Sequence, residues 1–159
     1  PTPRWQVIIE RFLAYILILC CIVALLFVGI IAGSSFFNVE LNIGTMILGS
    51  INLIPATLTI MAITTLIGSL FSNKLIVTSL AAGFVMVSYV LNIIAGAINT
   101  TEAPIAAWIG RVSVFKYLDS EGVVLNQALN GGNITLLLGL ALIAIVISLY
   151  AFENRDING

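Results

Sequence analysis

Residues 12–33 read FLAYILILCCIVALLFVGIIAG, and this stretch decides the fold. It contains no charged side chain and no Ser, Thr, Asn or Gln. As a helix rising 1.5 Å per residue, its 22 residues extend about 33 Å, enough to cross the hydrocarbon core of a bilayer. Working outward, three further uncharged windows follow at 41–73, 75–101 and 122–152. Each has room for one span, and none for two spans with a turn between them. The 159-residue chain is 60% hydrophobic and only 8% charged, where a soluble domain carries about 25% charged residues. A domain this small cannot hide so much apolar surface, so a water-soluble monomer is excluded. A disordered chain is excluded too, because disorder needs low hydrophobicity and many charges. The expected fold is an all-α integral membrane protein, a single transmembrane domain over 1–159. Its transmembrane helices are expected near 8–33, 44–71, 75–98 and 133–152.

The spans differ in character. Pro1, Thr2, Pro3, Arg4 and Trp5 precede the first, with Arg4 and Trp5 the pair expected at a headgroup boundary. Glu10 and Arg11 mark the wet end of that helix, and Gly29 and Gly33 form a GxxxG near its far end. The second span carries Thr45, Ser50, Asn52, Thr57, Thr59, Thr64, Thr65 and Ser69, a load that suits contact with other helices rather than lipid. Pro55 lies inside it and is expected to kink it or open its hydrogen-bond ladder. In the third, Ser88, Asn92, Gly96 and Asn99 fall within about 80° of arc at 100° per residue. Ser79 and Gly83 lie opposite, so neighbours are expected on both sides. Asn52, Ser88, Asn92 and Asn99 are the candidate face, either for a translocation path or for helix packing.

Residues 99–132 make the one long connection. Residues 103–118 read as a short interfacial or re-entrant helix with Ile105, Trp108, Ile109, Val112 and Phe115 on one side. Glu121–Gly122 and Gly131–Gly132 are turn signals, and 123–129 fits a second short helix. Asn133 is the expected N-cap of the last span. Four spans put both termini on one side with Arg4, Arg11, Lys74 and Arg155, leaving Arg111 and Lys116 on the other. That bias favours cytoplasmic termini in a multi-pass cell-membrane protein, with 99–132 external.

The chemistry available is narrow. The chain has no histidine. Cys20 and Cys21 are adjacent in an apolar helix with no base partner. No nucleotide loop or metal motif occurs, so neither catalysis nor a bound cofactor or metal is expected. Six bases in scattered positions cannot form a phosphate-tracking stripe, so nucleic acid is not an expected partner. With no Asp, Glu, Lys, Arg or His at depth in the spans, a proton-coupled pump lacks its relay.

Four stretches bear a family resemblance. PTPRWQVIIERFLA (1–14) resembles the segment of type-2 ABC exporter permeases that leads into their third helix, with Pro1, Arg4 and Arg11 in place. LTIMAITTLIGSLFSNKLIVTSLAAGFVMVSYVLNIIAG (58–96) is similar to that family's fourth and fifth helices, joined by a tight charged turn at Ser72, Asn73 and Lys74. SVFKYLDSEGVVLNQAL (113–129) resembles the external region before the last helix. ISLYAFENRDI (147–157) resembles the final helix running into an aromatic and an Arg-Asp pair, here Phe152, Arg155 and Asp156. The resemblance implies the carboxyl-terminal part of a permease, four of the usual six helices, as a fragment of a longer chain. It implies short re-entrant helices in the external connection and a partner subunit that binds ATP. It also implies a second permease copy or a related permease, and a coupling edge formed by Pro3, Arg4, Glu10 and Arg11. The competing expectations are a non-transporting membrane assembly or interaction protein and, with less support, a passive channel or secondary carrier.

Overall fold

The computed structural model describes residues 4–37, 42–98, 108 and 110–153. Among these, four helices are long and apolar enough to cross a membrane: α1 (Arg4–Phe37), α2 (Ile43–Leu70), α3 (Lys74–Ala97) and α5 (Gly131–Glu153). Between α3 and α5 lie a 3-10 turn (Val114–Leu118) and the short helix α4 (Ser120–Asn126). The four long helices match the expected spans to within a few residues at most ends. The architecture is that of an all-α, multi-pass integral membrane protein.

Local chemistry sets the boundaries. The Asn42 side chain accepts from the Thr45 N–H at 3.3 Å and opens α2. Asn73 does the same for the Leu75 N–H at 2.9 Å and opens α3, so the tight turn 71–73 is also a cap. The last span begins earlier than expected. Asn130, not Asn133, is the cap: its side chain accepts from the N–H groups of Gly132 and Asn133 at 3.1 and 3.3 Å. The Gly131–Gly132 pair is thus the first turn of α5 rather than a separate turn. At the far end of α1, the hydroxyls of Ser34 and Ser35 fold back onto the Ile31 carbonyl at 2.8 and 3.0 Å.

Helix α2 is the centre of the bundle. It touches α1, α3, α4, α5 and the 3-10 turn, whereas α1 and α3 do not touch each other. Its buried residues include Asn52, Pro55, Ala56, Thr59, Ala62 and Ser69, which confirms the expectation that it faces protein. Pro55 supplies no N–H to the Ile51 carbonyl, yet α2 runs unbroken past it. The ladder opens there and the helix does not end. The facing surface of α5 is Leu137, Ala141, Ala144 and Ser148, spaced i, i+4, i+7 and i+11 on one side. Ala62 meets Ala141 and Ala144, and Ala56 meets Leu137 and Val114. Side chains this small let two helix backbones approach closely, the main source of packing energy inside a bilayer.

Helices α1 and α3 are mostly bare. Leu13, Leu17 and Leu25 in α1 are 66–70% exposed, and Met86 in α3 is 71% exposed. Surface of that kind is stable only in a lipid environment or against further protein. In α3 the expectation of neighbours on both sides is met on one side only: Ser88 is buried, while Ser79 and Gly83 are exposed. At Gly29 and Gly33 nothing lies within 4 Å of where a Cβ would stand, so this GxxxG makes no close contact with the described residues.

These packing differences give opposite mutational outcomes. Ala62→Leu, at a fully buried seam position, is expected to cost about 1–3 kcal/mol by overpacking. Gly29→Ala is expected to cost nothing and to gain up to about 1 kcal/mol from helix propensity. Thermal unfolding of the two variants in detergent checks both signs.

Candidate functional site

A polar side chain buried in an apolar bundle must find its partner inside the protein. Following those partners locates the site. On α2, the Thr59 hydroxyl lies 2.8 Å from the Pro55 carbonyl and 2.9 Å from the Leu137 carbonyl of α5. One hydroxyl hydrogen is shared between a bond along its own helix and a bond across the seam. Lower down, Ser148 of α5 donates to the Thr65 carbonyl at 3.4 Å. Thr57, Thr64 and Thr65 spend their hydroxyls on carbonyls four residues back, at 2.8–2.9 Å.

At the end of the bundle opposite the turn 71–73, Asn52 donates its side-chain N–H to the Leu118 carbonyl, the last residue of the 3-10 turn. Ser113 donates to the Ser88 carbonyl of α3 at 2.6 Å, and its oxygen accepts the Phe115 N–H at 3.2 Å. The connection between α3 and α5 is therefore fastened to α2 at one point and to α3 at another. Val114 is buried against Ala56 and Leu137, and Phe115 meets Tyr89 edge to face with centroids 5.7 Å apart. A Cβ on Gly110 would stand 3.0 Å from the Ala95 Cβ, so the connection also approaches α3 closely there.

The expected helix over 103–118 stops short. Residues 110–112 are helical, Ser113 breaks the run, and 114–118 tighten into a 3-10 turn. The reason is the Ser113 hydroxyl, which takes the Phe115 N–H and bonds across to α3. The expected turn at Glu121–Gly122 lies instead inside α4. The chain reverses at Asp119, a left-handed residue (φ 39°, ψ 50°) whose carboxylate accepts the Gly122 N–H at 3.2 Å. A Cβ on residue 122 would come 2.5 Å from that carboxylate, so a larger residue there would push the Asp119 side chain off its cap. Trp108 and Val112 stay exposed, with the Arg111 guanidinium 4.9 Å over the Trp108 ring. Ile105 and Ile109 lie outside the described residues.

Of the candidate face, the structure brings Asn52 and Ser88 to the same connection from α2 and α3. Asn92, one turn beyond Ser88, is half-buried. Asn99 and Pro3 lie outside the described residues. Glu10 accepts from Gln6 at 3.1 Å on the outer side of α1, whereas Arg11 lines a groove of about 590 Å³ with Phe12, Tyr15, Ile60, Met61 and Phe152. A second groove of about 690 Å³ runs between α2 and α3 past Ala81, Val85 and Tyr89. Ser113, Thr59 and Ser148 were not singled out by the sequence. Thr59 had a signal, four residues after Pro55; Ser113 had none.

Chemically, this seam offers hydroxyl and amide donors already committed to backbone carbonyls. Among the described residues no group of three His, Cys, Asp or Glu side chains comes together, and Cys20 and Cys21 are free and exposed. In comparisons with known proteins, no family model, no curated protein and no solved structure matches this chain.

Asn52→Ala and Ser113→Ala each remove one fastening of the connection between α3 and α5. Interhelical bonds of this kind are worth about 0.6–1.7 kcal/mol in membrane proteins. Amide exchange over 114–126 is expected to quicken about 3- to 15-fold in each variant, with the Thr59–Leu137 region unchanged. Equal acceleration of both regions contradicts separate fastening.

Proposed function

We propose that this chain is the membrane-spanning permease component of an ATP-driven exporter of the ABC class. It forms part of a translocation pathway, couples to a separate ATP-binding subunit and pairs with a second permease. The reading rests on the family resemblance of four sequence stretches in order. The structural observation that carries it is the external connection folded back into the bundle. The 3-10 turn and α4 bury Val114 and Val123 against the spans, as the re-entrant helices implied by the resemblance do. The short capped turn at 71–73 between α2 and α3 also fits.

The energetic argument points the same way. No Asp, Glu, Lys, Arg or His interrupts 12–39, 41–73, 75–101 or 122–152. A chain without a charge relay at depth draws the work of transport from outside its spans or offers a passive path, and the exporter reading takes the first course. In this reading Pro3, Arg4, Glu10 and Arg11 belong to the edge that meets the ATPase, with both termini in the cytoplasm, and the chain itself hydrolyses nothing. A second reading, a non-transporting assembly protein, is favoured by one observation: the hydrogen-bonded side chains of the seam are spent on fastening rather than left facing a path.

Purification of the native gene product in mild detergent, with mass spectrometry of bound proteins, separates the two. An ATP-binding subunit in stoichiometric amount is expected. Like-charge juxtaposition at a partner surface costs several kcal/mol. Arg4→Glu is therefore expected to lower ATPase retention at least about tenfold while leaving the permease folded. Absence of any nucleotide-binding partner, under conditions that preserve a control ABC complex, overturns the exporter reading.

A further inference from the structure

The groove beside Arg11 has a polarity that no packing role explains. It sits at the end of the bundle where Ile8, Ser69, Val77 and Phe152 converge, the end that carries both helix termini. On α1 its wall is the stripe Ile8, Arg11, Phe12 and Tyr15, spaced i, i+3, i+4 and i+7 on one side. Its volume of about 590 Å³ falls within the roughly 300–1,000 Å³ of small-molecule sites. The hydroxyls along its α2 wall are already bonded: Thr64 to Ile60, Thr65 to Met61, and Ser69 to Leu66. That wall is therefore apolar in effect, although it is built of threonine and serine.

The charge is at one end only. Arg11 stands where the polar start of α1 gives way to the uninterrupted apolar run from Phe12, which places it at the headgroup boundary. Among the described residues no carboxylate pairs with it; the neighbouring Glu10 takes its hydrogen bond from Gln6 instead. Lys74 lies one turn before Val77 on the same side of α3, toward the same end. Tyr15 follows Arg11 by one turn, its Cα about 6 Å further along the helix. Glu153 follows Phe152 on α5, as Glu10 precedes Arg11 on α1. A cation at the boundary, a tyrosine one turn further on and an apolar channel form an amphiphile-shaped site. A guanidinium offers five donors and no acceptor, a match for phosphate oxygens.

We propose that this groove holds an anionic phospholipid of the surrounding leaflet, with its phosphate on Arg11 and one acyl chain along Phe12, Ile60 and Met61. The site depends on the membrane placement of the chain and not on the exporter reading, so either can fail alone. The test uses the purified protein reconstituted into nanodiscs of equal phosphatidylglycerol and phosphatidylcholine, re-extracted into detergent, with retained lipid counted by native mass spectrometry. About fivefold enrichment of phosphatidylglycerol is expected, the effect of one well-placed cation. Arg11→Gln is expected to bring the ratio close to one, and Arg11→Lys to keep most of it. Met61→Trp, which fills the channel, is expected to lower retention of both lipids. Equal retention of the two lipids by the unaltered protein overturns the proposal whatever the variants do. A preference that survives Arg11→Gln in folded protein overturns it as well.

Discussion

The seam between α2 and α5 is the constraint on which the rest of the structure depends. Lipid tails are as apolar as leucine, so no hydrophobic force drives two such helices together. What holds them is close packing, and Ala56 and Ala62 against Leu137, Ala141 and Ala144 provide it. The Thr59 hydroxyl then bonds to the Leu137 carbonyl at 2.9 Å, which fixes the register of the two helices. Because α2 also touches α1, α3, α4 and the 3-10 turn, any slip of α2 along this seam would disturb those contacts as well.

The connection between α3 and α5 follows from the same rule about unmet polar groups. Irregular backbone next to a bilayer is tolerated where protein satisfies it. Here the carbonyl of Leu118 is met by Asn52, and the buried Ser113 hydroxyl finds the Ser88 carbonyl of α3. The Tyr117 hydroxyl meets the Arg111 carbonyl at 3.0 Å. A segment of charged and polar residues is thus seated on two apolar helices. Asn52 and Ser113 are costly residues for an apolar environment, and both are satisfied by fastening this segment.

The four spans and the central place of α2 were legible because they rest on one-dimensional signals. Uncharged length gives the spans, and the run of Thr, Ser and Asn in 45–69 marks the helix that cannot face lipid. The tight turn before Lys74 was equally clear. What the sequence concealed depends on contacts between distant residues. Ser113 lies within an apolar stripe that continues helical spacing, and only its bond to α3, 25 residues back, shows why the helix stops there. The cap of α5 was misplaced because Asn130 and Asn133 are equally good caps in isolation. Arg11 and Glu10 read as one charged edge, but successive helical residues point about 100° apart. One faces a groove and the other bonds along the outer surface.

The distribution of burial also separates what is fixed from what is loosely held. Along α1, Ile8 and Leu19 are the buried residues among those described, whereas α5 buries Leu137, Ala141, Ala144 and Ser148 against α2. Elements with few buried contacts move at the lowest cost. In the exporter reading proposed above, force applied at the start of α1 would act first on that helix; the Thr59–Leu137 bond joins α2 to α5 and does not involve it. A lipid seated between α1 and α2 would lie across this movable contact, with Arg11 on one wall and Met61 on the other. Its headgroup charge would then bear on how readily α1 moves, because displacing α1 separates the guanidinium from the wall that carries the acyl chain. The α2–α5 seam and the first helix are thus two parts of one arrangement, a closely packed pair that carries the bundle and a helix held to it through few buried residues.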